Sequence, residues 1–303
     1  MKRSVAFVVF FLVFGFALAG LYWSQRRAKS IPVSPNAILN MAADAQRDLS
    51  RLPMHLTRLS DEQEVAIGRE FASRYASETR PLTAEEQGLE KYVRRVGANI
   101  ALHARRHLPY TFTVLHDHNM LNAFSLPGGP VYIGEGMLDL MTNEDELASV
   151  LAHEVEHIDH YHCVERVQVE AQLRKLDLDV VGALVEIPLD FWQAGYHKDE
   201  EFEADREGMY LAVQSGYSPY GAADLFERFA KLCDEYVIHA KSPDEELSQL
   251  AIQSLSGYFR SHPLPSERLA QANRIIAQEH WESRTARKPF HVAYEVRNGE
   301  FVK

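Results

Sequence analysis

The chain has 303 residues, of which 46% are hydrophobic and 25% are charged, and this composition excludes a disordered or low-complexity chain. A formal net charge of −11 argues against nucleic acid as a partner. The two cysteines, Cys163 and Cys233, could pair in an oxidising compartment but are too few for a disulfide framework.

Residues 1–23 are predicted to form a transmembrane anchor or a signal peptide. Lys2 and Arg3 precede an uncharged stretch, Val5–Trp23. As a helix this stretch would span about 28 Å, enough to cross a bilayer. In the alternative, cleavage after Ala19 would release a secretory signal. An uncleaved anchor is favoured because the apolar run is long for a signal peptide and basic residues follow it closely.

The rest of the chain divides into a linker, one large domain and a short tail. Residues 24–60 are polar and predict a linker or prosegment, 61–280 predict a single folded domain, and 281–303 predict a C-terminal extension. Helical periodicity makes the domain mainly α with a small β-sheet, an α+β fold. The predicted helices cover residues 61–78, 84–106, 134–141, 144–163, 164–187, 198–215, 219–239, 244–258 and 264–280, and the predicted strands cover 110–116, 131–133 and 290–296.

A hairpin is predicted between the second and third helices. Asn122–Leu126 is an extended run, Pro127–Pro130 a tight turn, and Val131–Ile133 a second extended run. Pro130 has no N–H to donate, so it is expected on an edge strand and not on a central one.

The helix predicted at 144–163 carries the pattern His-Glu-x-x-His, from His153 to His157. Two imidazoles four residues apart lie on one face of a helix and can coordinate a single zinc ion. Glu154 can then take a proton from a metal-bound water. The metzincin variant needs a glycine and a third histidine just beyond the pattern, but His160 and Cys163 occupy those places. Both are predicted to be structural or surface residues.

The flanking sequence also predicts that this pattern lies on a helix. Asn143, or Thr142 before it, is a candidate cap, and Glu146 falls where a capping box requires an acidic side chain. No proline or glycine interrupts 144–163, and its apolar face consists of Leu147, Val150, Leu151 and Ile158.

A catalytic zinc site needs a third protein ligand and one open position. Three glutamates compete for this role in the helix predicted at 198–215: Glu200, Glu201 and Glu203. Glu201 is favoured because it shares one helical face with Ala204, Asp205 and Gly208, and the two small residues would let this helix approach the His153 helix. Asp205 could then accept the free N–H of a ligand histidine. Glu200 and Glu203 are expected to form a solvated, acidic first turn.

His262 is a further candidate for the active site. The following proline pushes its backbone toward an extended conformation, outside any helix. A loop histidine near the metal could hydrogen-bond the oxyanion or act as a displaceable ligand, whereas in the simpler interpretation Ser261–Pro263 only leads into the next helix. Arg268 could anchor the same loop through a carboxylate.

Four separated segments together resemble the zinc metalloproteases of peptidase family M48. They are Asn122–Ile133, His153–His162, Glu201–Asp205 and Ser261–Arg268, and their order and spacing fit the family over roughly 61–280. The resemblance implies a gluzincin-type domain with a small β-sheet beside the active-site helix. His162 matches a histidine often found at the end of that helix, but Tyr161 replaces the usual arginine before it.

The resemblance also implies roles for the candidate residues. His153, His157 and Glu201 would hold one zinc ion per chain, Glu154 would be the general base, and Asp205 would support the ligands. A strand beside a zinc site can bind a peptide as an additional strand, and the resemblance implies this role for the hairpin. The substrate-binding residues expected there are Ser125, Leu126, Pro127 and Gly128.

The sequence therefore predicts a zinc-dependent endopeptidase that acts on polypeptides, such as misfolded envelope proteins, in the quality control of envelope or membrane-associated proteins. The alternative is a zinc-containing, chaperone-like binding factor with little proteolysis. The N-terminal segment would hold the domain on the outer side of the cell membrane, in the periplasm of a Gram-negative bacterium, or would be cleaved to release it there. Intramembrane cleavage is disfavoured because charged residues surround the zinc motif.

Overall fold

Helices dominate the part of the chain that the computed structural model describes, which is residues 59–76, 81–174, 196–238, 263–290, 296–297 and 300–301. All of these residues belong to one compact unit, Arg58–Lys303. The helices are α1 (Asp61–Ala76), α2 (Ala84–Ala101), α3 (Glu135–Asp139), α4 (Glu144–Asp159), α5 (His162–Arg174), α6 (Lys198–Gln214), α7 (Tyr220–Ile238) and α8 (Pro265–Gln278). The strands are β1 (Thr111–Leu115), β2 (Ala123–Ser125), β3 (Pro130–Gly134), β4 (Val296–Arg297) and β5 (Glu300–Phe301).

The mainly α, α+β fold class is confirmed, and most of the predicted elements lie within a few residues of their predicted ends. The helix predicted at 244–258, the segment 1–58 and most of the strand predicted at 290–296 lie outside the described residues. Within the described part of the chain, no helix is long and apolar enough to cross a membrane.

The helix predicted at 144–163 is wrong at its C-terminal end. The structure ends α4 at Asp159 and starts α5 at His162. Tyr161 between them has φ of 64°, the left-handed conformation that terminates a helix. The guanidinium of Arg106 lies 3.9 Å from the centre of the Tyr161 ring, so a contact from a distant part of the chain supports the break.

The three-stranded sheet has the order β1–β3–β2, with β1 parallel and β2 antiparallel to β3. The β2–β3 hairpin is therefore confirmed, but the expectation that Pro130 lies on an edge strand is wrong. Pro130 is the first residue of the central strand, a position where the missing N–H is tolerated. Its carbonyl still accepts a hydrogen bond from Leu126 at 2.8 Å.

Helix α4 lies at the centre of the domain and packs against α2, α6, α7 and β2. The side chain of Asn143 caps its first turn by accepting a hydrogen bond from the backbone N–H of Glu146 at 3.0 Å, as predicted. The reciprocal bond differs from a capping box because the Glu146 carboxylate accepts from the backbone of Thr142, one residue earlier. Residues at the start of the predicted tail pack here too, since Glu144 donates its backbone N–H to the Lys288 carbonyl at 2.8 Å.

Helix α1 covers the turn of the hairpin. The fully buried carboxylate of Glu64 accepts a hydrogen bond from the backbone N–H of Gly128 at 2.9 Å. A Cβ at Gly68 would lie 1.9 Å from the Pro127 carbonyl oxygen, so only glycine permits this approach. The contact buries a second, smaller core against β2, β3 and α5, made of Leu59, Ile67, Phe71, Phe124, Leu126, Tyr132, Val164, Val167 and Ala171.

Candidate active site

Two helices far apart in the sequence meet at the candidate site. Helix α6 packs along α4, and Ala204 and Gly208 lie at the seam. A Cβ at Gly208 would lie 3.0 Å from the backbone nitrogen of His153 and 3.1 Å from its Cα. A larger residue would force the two helices apart by a few tenths of an ångström, and the predicted close approach of the two helices is confirmed.

This packing brings the three predicted metal ligands together. One donor atom from each of His153, His157 and Glu201 lies within 4.8 Å of the others, and all three residues are buried. The two Nε2 atoms are 3.0 Å apart, Glu201 Oε2 is 3.5 Å from His153 Nε2, and Glu201 Oε1 is 3.9 Å from His157 Nε2. Donor atoms bound to one tetrahedral zinc at 2.0–2.1 Å would be about 3.3 Å apart. The spacing therefore fits a zinc ion with little rearrangement.

Asp205 lies on the Nδ1 side of His153, and Arg268 pairs with Asp205. Asp205 Oδ1 lies 3.0 Å from His153 Nδ1, and the Arg268 guanidinium forms a two-pronged pair with the same carboxylate at 2.8 and 2.5 Å. Both members of this pair are buried. The predicted carboxylate contact of Arg268 is thus formed with Asp205. A carboxylate at Nδ1 fixes the ring so that Nε2 faces the metal position.

For both His153 and Asp205, burial shifts the pKa in one direction and the charged partners shift it in the other. Burial alone would lower the pKa of His153, but the hydrogen bonds to Asp205 and Glu201 outweigh it and raise the pKa to about 9. Burial would raise the pKa of Asp205, but the charge and hydrogen bonds of Arg268, together with His153, keep it below its usual range.

His157 has a different set of supporting contacts. Its Nδ1 lies 2.9 Å from Nδ1 of His162, whose Nε2 lies 3.5 Å from Glu203 Oε2. The hydrogen bond with His162 lowers the pKa of Glu203 to about 2. The break at Tyr161 lets His162 return to His157, and Glu203 is not merely the solvated surface residue that its position in the sequence indicated.

Tyr196 also supports the ligands and was missed by sequence reasoning. Its ring stacks on His157 with 3.9 Å between the ring centres, and its backbone N–H donates to Glu201 Oε1 at 2.9 Å. Its hydroxyl lies 3.1 Å from the sulfur of Cys163. Cys163 is buried, as predicted for a structural residue, and burial raises the pKa of its thiol to about 12. The only sequence signal for Tyr196 is its place just before the acidic first turn of α6.

Glu154 lies one residue after His153 on α4 and is buried. It lines a cavity of about 20 Å³ together with His153, Asp205 and Ala123 of strand β2. A space of this size holds about one water molecule. A carboxylate, an imidazole and a strand residue thus converge on a space suited to a single small molecule.

The predicted substrate residues lie near this site but beneath other elements. Ser125, Leu126, Pro127 and Gly128 are all buried. The hydroxyl of Ser125 lies 3.5 Å from the sulfur of Cys163, and Gly128 is bonded to α1 through Glu64. Their contact with substrate stays a prediction. His262 lies outside the described residues.

A helix-borne His-Glu-x-x-His pattern facing a carboxylate on a second helix is the arrangement of a metallopeptidase with a distant glutamate ligand. The sequence profile of peptidase family M48 matches residues 83–276, and the chain belongs to this family. The predicted resemblance to M48 zinc metalloproteases is thereby confirmed.

Individual relatives agree with this assignment. The chain is 30% identical over 240 residues to the beta-barrel assembly-enhancing protease of Yersinia pestis and 29% identical to that of Escherichia coli (strain K12). Each match covers 73% of this chain and 45% of the relative. The mitochondrial metalloendopeptidase OMA1 of Schizosaccharomyces pombe is 29% identical over 226 residues, which is 71% of this chain and 62% of that protein. The chain thus spans about half the length of the bacterial relatives that it matches.

Proposed function

We propose that this metallopeptidase is a zinc-dependent endopeptidase whose single catalytic zinc binds to His153, His157 and Glu201. The observation that carries the proposal is the convergence of these three buried donors from α4 and α6, at separations suited to one tetrahedral ion. Bound zinc would polarise the peptide carbonyl and lower the pKa of a water molecule in its open position.

Glu154 is the general base in this mechanism. Its position directly after the proposed ligand His153 on α4 suits it to take the proton from the attacking water and to return it to the leaving amine. Asp205 keeps the His153 ring oriented, and Arg268 keeps Asp205 ionised.

A polypeptide substrate would bind along β2. This strand is at the edge of the sheet, and its Ala123 lines the same cavity as Glu154. An extended peptide could add to the edge and present a carbonyl to the metal position. Ser125 belongs to this strand. Leu126, Pro127 and Gly128 follow it beneath α1, a position that suits them to fixing the end of the strand.

The cellular role proposed is quality control of envelope or membrane-associated proteins. It is supported by the similarity to the beta-barrel assembly-enhancing proteases and to mitochondrial metalloendopeptidase OMA1. Residues 1–23 would anchor or export the domain, which would work outside the cytoplasm. The substrates would be misfolded or unassembled polypeptides.

Glu154→Gln tests the mechanism. The full-length variant should keep one zinc at the active site but lose about 10²- to 10⁴-fold in the rate of degrading an unfolded protein such as casein, since the general base is removed. Glu156→Gln is the matched control because the Glu156 carboxylate turns away toward His160 and Arg105. Equal rates for the parent and Glu154→Gln would overturn the assignment. Rescue of a deletion strain by the inactive variant would instead favour the chaperone-like alternative.

A further inference from the structure

A second group of histidines and carboxylates lies outside the active site, where β1, α2 and α3 meet. One donor atom from each of Glu86, His116 and Glu135 lies within 4.8 Å of the others. His116 Nδ1 is 3.2 Å from Glu135 Oε2 and 4.0 Å from Glu86 Oε1. These separations resemble those at the active site and bracket the distance of about 3.3 Å expected between donors on one tetrahedral ion.

His118 contacts the same Glu135 carboxylate but lies outside this group of three donors. His118 Nε2 lies 3.7 Å from Glu135 Oε1, and His118 Nδ1 is held by Asp139 Oδ2 at 2.5 Å. His118 is therefore held between the carboxylates of Glu135 and Asp139. Glu86 is oriented in a similar way, since its Oε2 accepts the backbone N–H of Thr83 and leaves Oε1 toward His116.

The burial of His116 indicates what kind of partner this group needs. Its side chain is only 10% exposed, and its Nε2 is buried without a hydrogen-bond partner among the described residues. Two carboxylates converge on the opposite nitrogen, Nδ1. A divalent cation at Nδ1 would balance the negative charges of both Glu86 and Glu135.

We propose that Glu86, His116 and Glu135 bind a second transition-metal dication, with His118 supporting the Glu135 carboxylate. An imidazole nitrogen and two carboxylates suit Zn²⁺, Fe²⁺ or Mn²⁺, whereas Mg²⁺ and Ca²⁺ prefer oxygen ligands alone. The ion would enter from the side of His118, whose side chain is 57% exposed. Because the ligands belong to α2, α3 and the end of β1, the ion would tie these elements together. It would steady α3, whose Met137 lines the cavity beside Glu154.

Zinc stoichiometry tests this site. The full chain, made in the Glu154→Gln background, is stripped with a chelator and dialysed against a zinc buffer that sets free Zn²⁺ in the micromolar range. The amount of bound zinc per chain is then measured by elemental mass spectrometry. The expected result is two zinc ions per chain, falling to one in His116→Ala/His118→Ala. The matched control is His103→Ala/His107→Ala, which removes two histidines outside the group and should retain both ions. One zinc per chain in the parent, or two in His116→Ala/His118→Ala, would overturn the proposal.

Two further variants keep the test independent of folding and of the proposed catalytic site. His118→Ala alters an exposed side chain, so the variant should fold normally. Loss of the contact that supports Glu135 should weaken binding of the second zinc about tenfold. Unchanged affinity in this folded variant would contradict the site. Glu201→Gln should lose the active-site zinc and keep the second, so failure of one proposal is distinguishable from failure of the other. Replacing zinc with Mg²⁺ or Ca²⁺ in the same dialysis should give no bound ion at the second site.

Discussion

The two histidine–carboxylate groups of this protein have similar donor spacings but different surroundings. At the active site the donors come from two long, packed helices and are wholly buried. In the second group Glu86 and Glu135 lie near helix ends and His116 lies in a loop. The neighbouring side chains of His118 and Asp139 are 57% and 36% exposed. The difference teaches that donor distance defines where an ion can bind, whereas the supporting contacts determine how rigidly the ligands are held.

Removing Glu201, the proposed zinc ligand on α6, should have the largest effect. Glu201→Gln is expected to lose more than about 100-fold in zinc affinity at the active site, since even the loss of a supporting residue costs 10- to 100-fold. Peptide hydrolysis should become undetectable. Glu200→Gln is the matched control, because the Glu200 carboxylate caps α6 by accepting the backbone N–H of His197. Zinc binding by Glu201→Gln as tight as in the parent, measured by chelator competition, would remove Glu201 from the site.

The supporting pair behind His153 should come next. Asp205→Asn leaves the buried Arg268 cation without its counter-ion, which should cost about 3–5 kcal/mol in the free energy of unfolding. The affinity for the active-site zinc should fall 10- to 100-fold. Denaturant unfolding and zinc competition measure the two effects.

The control for that pair is Asp224→Asn. Asp224 forms a similar two-pronged pair with Arg287, but both side chains are 28% exposed. A partly exposed pair of this kind contributes at most about 1 kcal/mol, and this change should not alter zinc affinity. Equal losses in the two variants would show that burial of the Asp205 pair does not matter.

A smaller effect is expected from the seam between α4 and α6. Gly208→Ala adds a methyl group 3.0 Å from the His153 backbone, so α6 must shift and carry Glu201 with it. The expected cost is about 1–3 kcal/mol in stability, with weaker zinc binding at the active site only. Gly88→Ala is the matched control, since a Cβ there meets nothing within 4 Å, and this change within α2 should stabilise the protein by about 0.5–1 kcal/mol. If both substitutions stabilise the protein, the seam is not tightly packed.

The smallest expected effect concerns how readily a thiol reagent reaches the buried Cys163, next to His162. Cys163 lies next to His162, and burial raises the pKa of its thiol to about 12, so the thiol stays protonated at pH 8. In the Cys233→Ser variant, a thiol reagent at pH 8 should therefore modify the native protein only through unfolding. Rapid labelling of the native protein would show that the core around Cys163 and His162 opens without global unfolding.

The convergence of His153, His157 and Glu201 was predictable from the sequence because its main signals are local. The spacing of His153 and His157 and the cap at Asn143 lie within one helix, and the small residues beside Glu201 mark a close approach between helices. The end of α4 was not predictable in this way, since the break at Tyr161 depends on a contact with Arg106. The central position of β3 also depends on pairing with a distant strand.

The supporting residues and the second group were harder to predict for the same reason. Glu203 meets His162 only because α4 is broken, and Tyr196 has no motif of its own. In the second group the sequence offers only His116 and His118 two residues apart. Their carboxylate partners come from α2 and α3, so no local pattern joins them.

The central claim, that α4 and α6 meet around one catalytic zinc, is tested most directly by a crystal structure of the zinc-loaded full chain with anomalous data at the zinc edge. The account predicts a peak about 2.0–2.2 Å from His153 Nε2, His157 Nε2 and a carboxylate oxygen of Glu201. Absence of a peak between these three residues, with zinc present in the crystal, would contradict it.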